Sequence, residues 1–250
     1  MMGRRSHRFP AGRGGMPRPA AVPALSLALA LLAAGACERS ATDRTTGRKD
    51  SAPTVETAES VSDGAAAERP VIVALGDSLT EGYGVTRPES WPALLQSRLE
   101  AEGYPHRVVN AGIAGDTTAG GLARMDWLLQ QRIDILIVEL GGNDGLRGVD
   151  PAATRANLSA IVRKGLDARA TVVFVGMIMP FNYGGDYKER YDAVFPELAE
   201  RYDVPFIPFF LKDVAGVRKL TLPDGIHPNG EGYKVILETV WETLEPLLKN

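Results

Sequence analysis

One cysteine, Cys37, stands in the 250 residues, so no internal disulfide is possible and the core alone must hold the fold. Histidine is almost as scarce. Of the three, only His106 and His227 fall beyond residue 69. No His/Cys cluster has metal-ligand spacing, and no Walker loop or dinucleotide fingerprint occurs, so neither a metal nor an organic cofactor is expected. Positive charge is in deficit: residues 70–250 carry 18 Lys and Arg against 24 Asp and Glu. No basic stripe is present, which argues against nucleic acid as a partner. No internal repeat is visible. Bulky side chains are nearly absent from residues 38–69, which are mostly Ala, Thr, Ser, Asp, Glu, Arg and Gly. Such a segment buries too little apolar surface to offset its ordering entropy, and it reads as a flexible tether.

What precedes the tether has the pattern of an export signal. Residues 1–36 hold five arginines (Arg4, Arg5, Arg8, Arg13, Arg18) and no acid, and Ala20 to Ala36 is an apolar run. A basic start, a short apolar core and small residues before a cysteine read as a signal peptide. Ala34-Gly35-Ala36-Cys37 resembles a bacterial lipobox, although Ala34 stands where leucine is usual and Leu32 lies two residues further upstream. The expected organisation is a signal over 1–36, a lipidated Cys37 and linker over 37–69, and one folded domain over 70–250. The protein would then be exported and tethered to a membrane, facing the periplasm or the cell exterior. An ordinary cleaved signal and an uncleaved anchor are the other readings, the apolar run being at the short edge of the roughly 20 residues a spanning helix needs.

From residue 70 the periodicity alternates. Val71 to Leu75 is a continuous apolar run between Pro70 and Gly76, as expected of a buried parallel strand. Further strands are expected at 107–110, 133–140, 171–176 and 205–208. Helices are expected at 91–102, 118–129, 151–166, 187–202 and 230–248. In the first of these helices Trp91, Leu94, Leu95 and Leu99 share a face, and in the second Leu122, Met125, Leu128 and Leu129 do. Strands alternating with helices imply an α/β fold. The expected form is a flavodoxin-like three-layer α/β/α sandwich on a five-stranded parallel sheet. In this class ligands bind beyond the carboxyl ends of the strands, near the switch in strand order.

The loops leaving those strand ends are rich in glycine and polar residues. They are Gly76-Asp77-Ser78-Leu79-Thr80, Asn110 to Asp116, Gly141-Gly142-Asn143-Asp144 and Asp224-Gly-Ile-His227-Pro. A serine hydroxyl is a weak nucleophile until a base takes its proton. His106, between Pro105 and Arg107, is poorly placed for that task. His227 has Asp224 three residues back, close enough for one turn to bring the side chains together, so that Asp224 holds one ring nitrogen and the other is free for Ser78. Asp77, Asp116 and Asp144 are explained as well by turns and caps as by chemistry. The Gly-x-Ser-x-Gly elbow of another serine hydrolase fold is absent, Thr80 occupying its last position.

These blocks, in this order, resemble the SGNH (GDSL) hydrolase superfamily. The runs Gly76 to Gly84, Asn110 to Gly121 and Leu140 to Gly148 resemble its arylesterase, acyl-CoA thioesterase I and lysophospholipase L1 branch. The likeness covers residues 70–250. It implies Ser78 as nucleophile, His227 as base and then acid, and Asp224 as the residue orienting it. It further implies an oxyanion hole made by the Ser78 and Gly115 backbone N–H groups and the Asn143 side-chain amide. Gly115 suits a backbone that must approach substrate closely, and Asn143 offers an uncharged donor. The implied activity is hydrolysis of small-molecule carboxylic esters through an acyl-enzyme: aryl, short-to-medium acyl, lysophospholipid or thioester. Two rivals are a carbohydrate O-deacetylase on the same scaffold and a non-catalytic lipid- or glycan-binding lipoprotein. The apolar loop Met177 to Asp186, with Tyr83 and Leu146, is a further candidate wall or lid.

Overall fold

The computed structural model describes residues 69–180 and 184–248. The expected signal, Cys37 and all of the linker but Arg69 lie outside the described residues. Strand β1 (Val71–Gly76) is buried at every position, as a central strand covered on both faces must be. It is flanked by β2 (Arg107–Gly112) and β3 (Ile135–Glu139), followed outward by β4 (Thr171–Val175) and the two-residue β5 (Phe206–Ile207). All pairings are parallel and the order is β2-β1-β3-β4-β5.

Two groups of helices cover the sheet. The helices α2 (Trp91–Ala101) and α8 (Gly230–Leu248) pack on each other, and α3 (Thr118–Leu128), α5 (Pro151–Asp167) and α7 (Val194–Tyr202) form a second packed set. The three-layer α/β sandwich is therefore as expected. The chain leaves β1 for β2 on one side and returns to β3 on the other. The carboxyl ends of β1 and β3 thus face a crevice between oppositely directed connections. Two one-turn helices start there: α1 (Ser78–Glu81) after β1 and α4 (Gly142–Leu146) after β3.

Several boundaries differ from expectation for local reasons. The single helix expected at 187–202 is two, α6 (Gly185–Asp192) and α7, broken at Ala193. Pro196 is the cause: it has no N–H for the Asp192 carbonyl, and its ring crowds that carbonyl. Strand β2 runs two residues past Asn110, because Gly112 pairs with Gly76 of β1. Helix α3 buries Thr118, Gly121, Met125 and Leu128, whereas Leu122 and Leu129 are only partly covered. Its inner face is set by Gly121, where a Cβ would lie 2.2 Å from Leu140 Cδ1, so the helix sits close on the sheet.

Candidate active site

Asp77 follows the last residue of β1 and caps α1. Its Oδ1 accepts the Leu79 N–H at 3.0 Å, and the turn closes at Gly82, whose φ of 92° favours glycine. Ser78 is therefore the first residue of a one-turn helix at the edge of the sheet. Its Oγ lies 2.9 Å from His227 Nε2, across 149 residues of sequence. His227 Nδ1 lies 2.7 Å from Asp224 Oδ2. The other oxygen of Asp224 accepts the N–H groups of Ile226 (2.9 Å) and His227 (3.0 Å). The segment is closed on itself, since the Leu222 N–H donates to the His227 carbonyl at 2.7 Å and Gly225, at φ 72°, makes the turn.

This geometry sets the charge states. Partial desolvation of Asp224 opposes ionisation, but the Ile226 N–H, the His227 ring and the His227 N–H outweigh it and hold the carboxylate below its ordinary value. An ionised Asp224 accepts a hydrogen bond from Nδ1–H, which keeps the proton on that nitrogen and leaves Nε2 as acceptor for the Ser78 hydroxyl. Tyr83, half exposed, places its ring 4.6 Å from the imidazole at 43°. His106 is elsewhere: it is buried beside Tyr104, and burial lowers its pKa.

Asn143 enters from α4. Its Nδ2 donates to Asp77 Oδ2 at 3.0 Å, which joins the loop after β3 to the loop after β1. Asp144 is structural. It is buried and accepts the Thr118 N–H (2.8 Å) and the Thr118 hydroxyl, tying α4 to α3. Tyr191, also buried, donates to the Gly141 carbonyl at the start of the same turn.

Gly115 has φ 76° in the turn Ile113–Asp116, closed by the Asp116 N–H on the Ile113 carbonyl. That is a type II pattern, which calls for glycine at its third position. Arg124 fastens this loop. It pairs with Asp116 at 2.9 Å and donates to the carbonyls of Ala111 (2.6 Å) and Gly76 (2.9 Å). Arg147 donates to the Gly115 carbonyl at 2.9 Å. Arg124 lies outside the readable motifs and Arg147 within one, but the long-range carbonyl contacts of both leave no periodic trace in the sequence.

A cleft of about 310 Å³ opens over Ser78, lined by Asp77, Asn143 and His227 and by apolar walls that include Leu146, Met177, Met179, Phe209 and Leu211. Gly115 is not part of that lining. The expected wall segment after β4 thus contributes Met177 to Pro180, residues 181–183 being outside the described ones. Leu146 is a wall, whereas Tyr83 covers His227. Among the described residues, no group of three or more His, Cys, Asp or Glu could hold a metal ion. Nor is any helix among them long and apolar enough to cross a membrane.

Residues 74–235 match the GDSL-like lipase/acylhydrolase family. The chain belongs to this family. It is 44% identical over 178 residues to the esterase TesA of Pseudomonas aeruginosa, covering 71% of this chain and 89% of that one. It is 39% identical to the thioesterase 1/protease 1/lysophospholipase L1 of Escherichia coli strain K12, over 74% of this chain and 88% of the relative. A crystal structure of TesA superposes with a TM-score of 0.69 at 43% identity, covering 71% of this chain and 99% of that one. This GDSL-like protein is accordingly an SGNH serine hydrolase of carboxylic esters, and its fold is that of solved members.

Proposed function

We propose that Ser78, His227 and Asp224 carry out the ester hydrolysis. The observation that carries this reading is the 2.9 Å contact between Ser78 Oγ and His227 Nε2, backed by the 2.7 Å contact from His227 Nδ1 to Asp224. His227 takes the hydroxyl proton as Ser78 Oγ attacks the ester carbonyl. The protonated imidazole then gives that proton to the leaving alcohol or thiol, and an acyl-serine remains. Water attacks the acyl carbon, His227 accepts its proton and returns it to Ser78, and the carboxylic acid departs. The charge that grows on the carbonyl oxygen is met by the Ser78 and Gly115 N–H groups and by the Asn143 amide. Each such donor is worth about 3–4 kcal/mol in the transition state.

The substrates are aryl and short-to-medium acyl esters, with lysophospholipid and thioester acyl groups in the same range. Methionine, leucine and phenylalanine side chains favour a hydrocarbon acyl or aryl group over a sugar, and the relatives named esterase and thioesterase/lysophospholipase support the same range. The test is labelling by a fluorophosphonate probe, followed by turnover of p-nitrophenyl esters of increasing chain length. Ser78→Ala should abolish labelling and lower turnover by about 10³-fold or more. A labelled, active Ser78→Ala protein would reject the assignment.

The basic and apolar residues of 1–36, with Cys37 behind them, support export and a lipid tether at Cys37. Cys37→Ser should release the enzyme from membranes into the soluble fraction. Unchanged membrane fractionation would rule the tether out. An exported enzyme would not meet cytosolic acyl-CoA, so thioester cleavage would be a capability rather than its role.

A further inference from the structure

Seven large apolar side chains are exposed among the described residues, and five of them stand at one edge of the sheet. Each of the five belongs to a different strand connection. Tyr83 follows α1 after β1, Ile113 is the first residue after β2, and Leu146 ends α4 after β3. Ile178 follows β4, and Ile226 lies between Asp224 and His227 in the connection after β5. The other two, Trp127 and Leu166, stand near the last residues of α3 and α5, where those helices have run back to the opposite edge.

The five ring the mouth of the cleft. Leu146, Ile178 and Ile226 line the cleft itself, and Tyr83 lies against the His227 ring. Ile113 is outside the lining, in the turn whose Gly115 carbonyl accepts from Arg147, the residue after Leu146. Apolar surface therefore continues outward past the walls of the cleft. A group of water-facing apolar side chains around an opening marks an interaction surface.

We propose that this rim docks on a lipid surface: its side chains enter the outer layer of a bilayer or micelle and open the cleft to the hydrocarbon there, so that an acyl ester passes to Ser78 without crossing water. The inference rests on the reading of the cleft as the ester site. A second copy of the chain seated on the rim would cover Ser78 and close the route of the substrate, since three of the five residues are cleft walls. A fluid surface covers the same groups and supplies the substrate. Charge does not draw the domain to anionic lipid, with 18 Lys and Arg against 24 Asp and Glu over residues 70–250, so the attraction is apolar insertion. A tyrosine at the margin suits headgroup depth, with its ring in the apolar layer and its hydroxyl in water. A contact of this size is weak and reversible, and it complements an anchor rather than replacing one. About 30 residues of chain separate Cys37 from Arg69, a contour of up to about 100 Å, so a lipid on Cys37 would not keep the catalytic edge from the same surface. Membrane fractionation thus reports the tether, and turnover at a surface reports the rim.

The experiment compares two substrates. The full chain and its Ile113→Asp variant are given p-nitrophenyl butyrate in solution and p-nitrophenyl dodecanoate carried in phosphatidylcholine vesicles. Ile113 does not line the cleft, so turnover of the dissolved ester should stay within about twofold. Turnover of the vesicle-borne ester should fall by about fivefold or more, because a charge replaces an apolar group at the lipid surface. Trp127→Asp, on the opposite edge, should change neither. Equal turnover of the vesicle-borne ester by the natural chain and Ile113→Asp, an equal loss on both substrates, or a matching loss in Trp127→Asp would overturn the inference. So would dissolved activity that falls as protein concentration rises and recovers in Ile113→Asp, which marks a second copy on the rim. A natural chain inactive on the dissolved ester would instead reject the ester reading beneath it.

Discussion

The Thr80 hydroxyl donates to Glu139 Oε2 at 2.6 Å, and both side chains are fully buried beneath the turn that carries Ser78. The sheet register brings them together, since Gly76 of β1 lies opposite Glu139 of β3. A Cβ on Gly76 would come within 2.1 Å of Thr80 Oγ1 and 2.6 Å of Glu139 Oε2, so glycine leaves the room this pair fills. Among the described residues Glu139 Oε1 has no hydrogen-bond partner, and burial, with Asp77 nearby, pushes the Glu139 pKa well above its ordinary value.

That shift has a definite consequence for stability. Above the ordinary value of 4.5 the unfolded chain releases the Glu139 proton while the native state keeps it, so the native state binds more protons and stability falls as pH rises. Glu139→Gln keeps an acceptor for Thr80 and removes the titration. Its stability relative to the natural protein should therefore increase with pH, by at most about 1.4 kcal/mol per unit. Denaturant midpoints between pH 5 and 9 measure this. A difference that stays constant across the range would show that Glu139 titrates alike in both states.

Asp224 has the opposite shift. Its pKa is depressed, so the stability it contributes is present above the ordinary value of 3.8 and is lost only as pH falls through the lower native value. Near neutrality its effect is on the orientation of His227. Asp224→Asn no longer fixes the Nδ1 proton and should lower kcat by about 10²- to 10⁴-fold with the fold intact. Steady-state kinetics checks this, and turnover within threefold of the natural enzyme would remove Asp224 from the relay.

Gly232 lies in the first turn of α8, five residues after His227. A Cβ there would stand 2.2 Å from the Leu220 carbonyl oxygen, a backbone atom that cannot rotate away. Alanine is the better helix former by about 1 kcal/mol, yet Gly232→Ala should destabilise the protein by about 1–3 kcal/mol because the helix must lift. Chemical denaturation measures the sign. A stabilised variant would show that α8 does not pack against residue 220 as closely as described.

Much of this was legible in the chain. The apolar run at 71–75 and the periodic helices gave the parallel sheet, because strand burial and helix faces leave repeats of their own. Ser78 was legible as a residue just past a strand end, and Asp224 with His227 as an acid and a base one turn apart. Pro196 was in view too, but 187–202 still reads as one helix, since a proline in a first turn and one that breaks a helix look alike without the preceding bounds. Contacts between elements left no such mark. Nothing in the motif Gly-Asp-Ser distinguishes a capping Asp77 from one that also holds Asn143, and Arg124 belongs to no spacing pattern.

Sequence alone, then, determined the kinds of chemical group available and the strand ends on which they stand, because those follow from local periodicity and residue type. Which atoms meet was decided only by the tertiary structure. Strand order sets the neighbours of β1, register puts Glu139 across from Gly76, and the closed turn before α8 brings an imidazole to a hydroxyl 149 residues away. Such proximities depend on how whole elements pack, and packing is a property of the assembled chain.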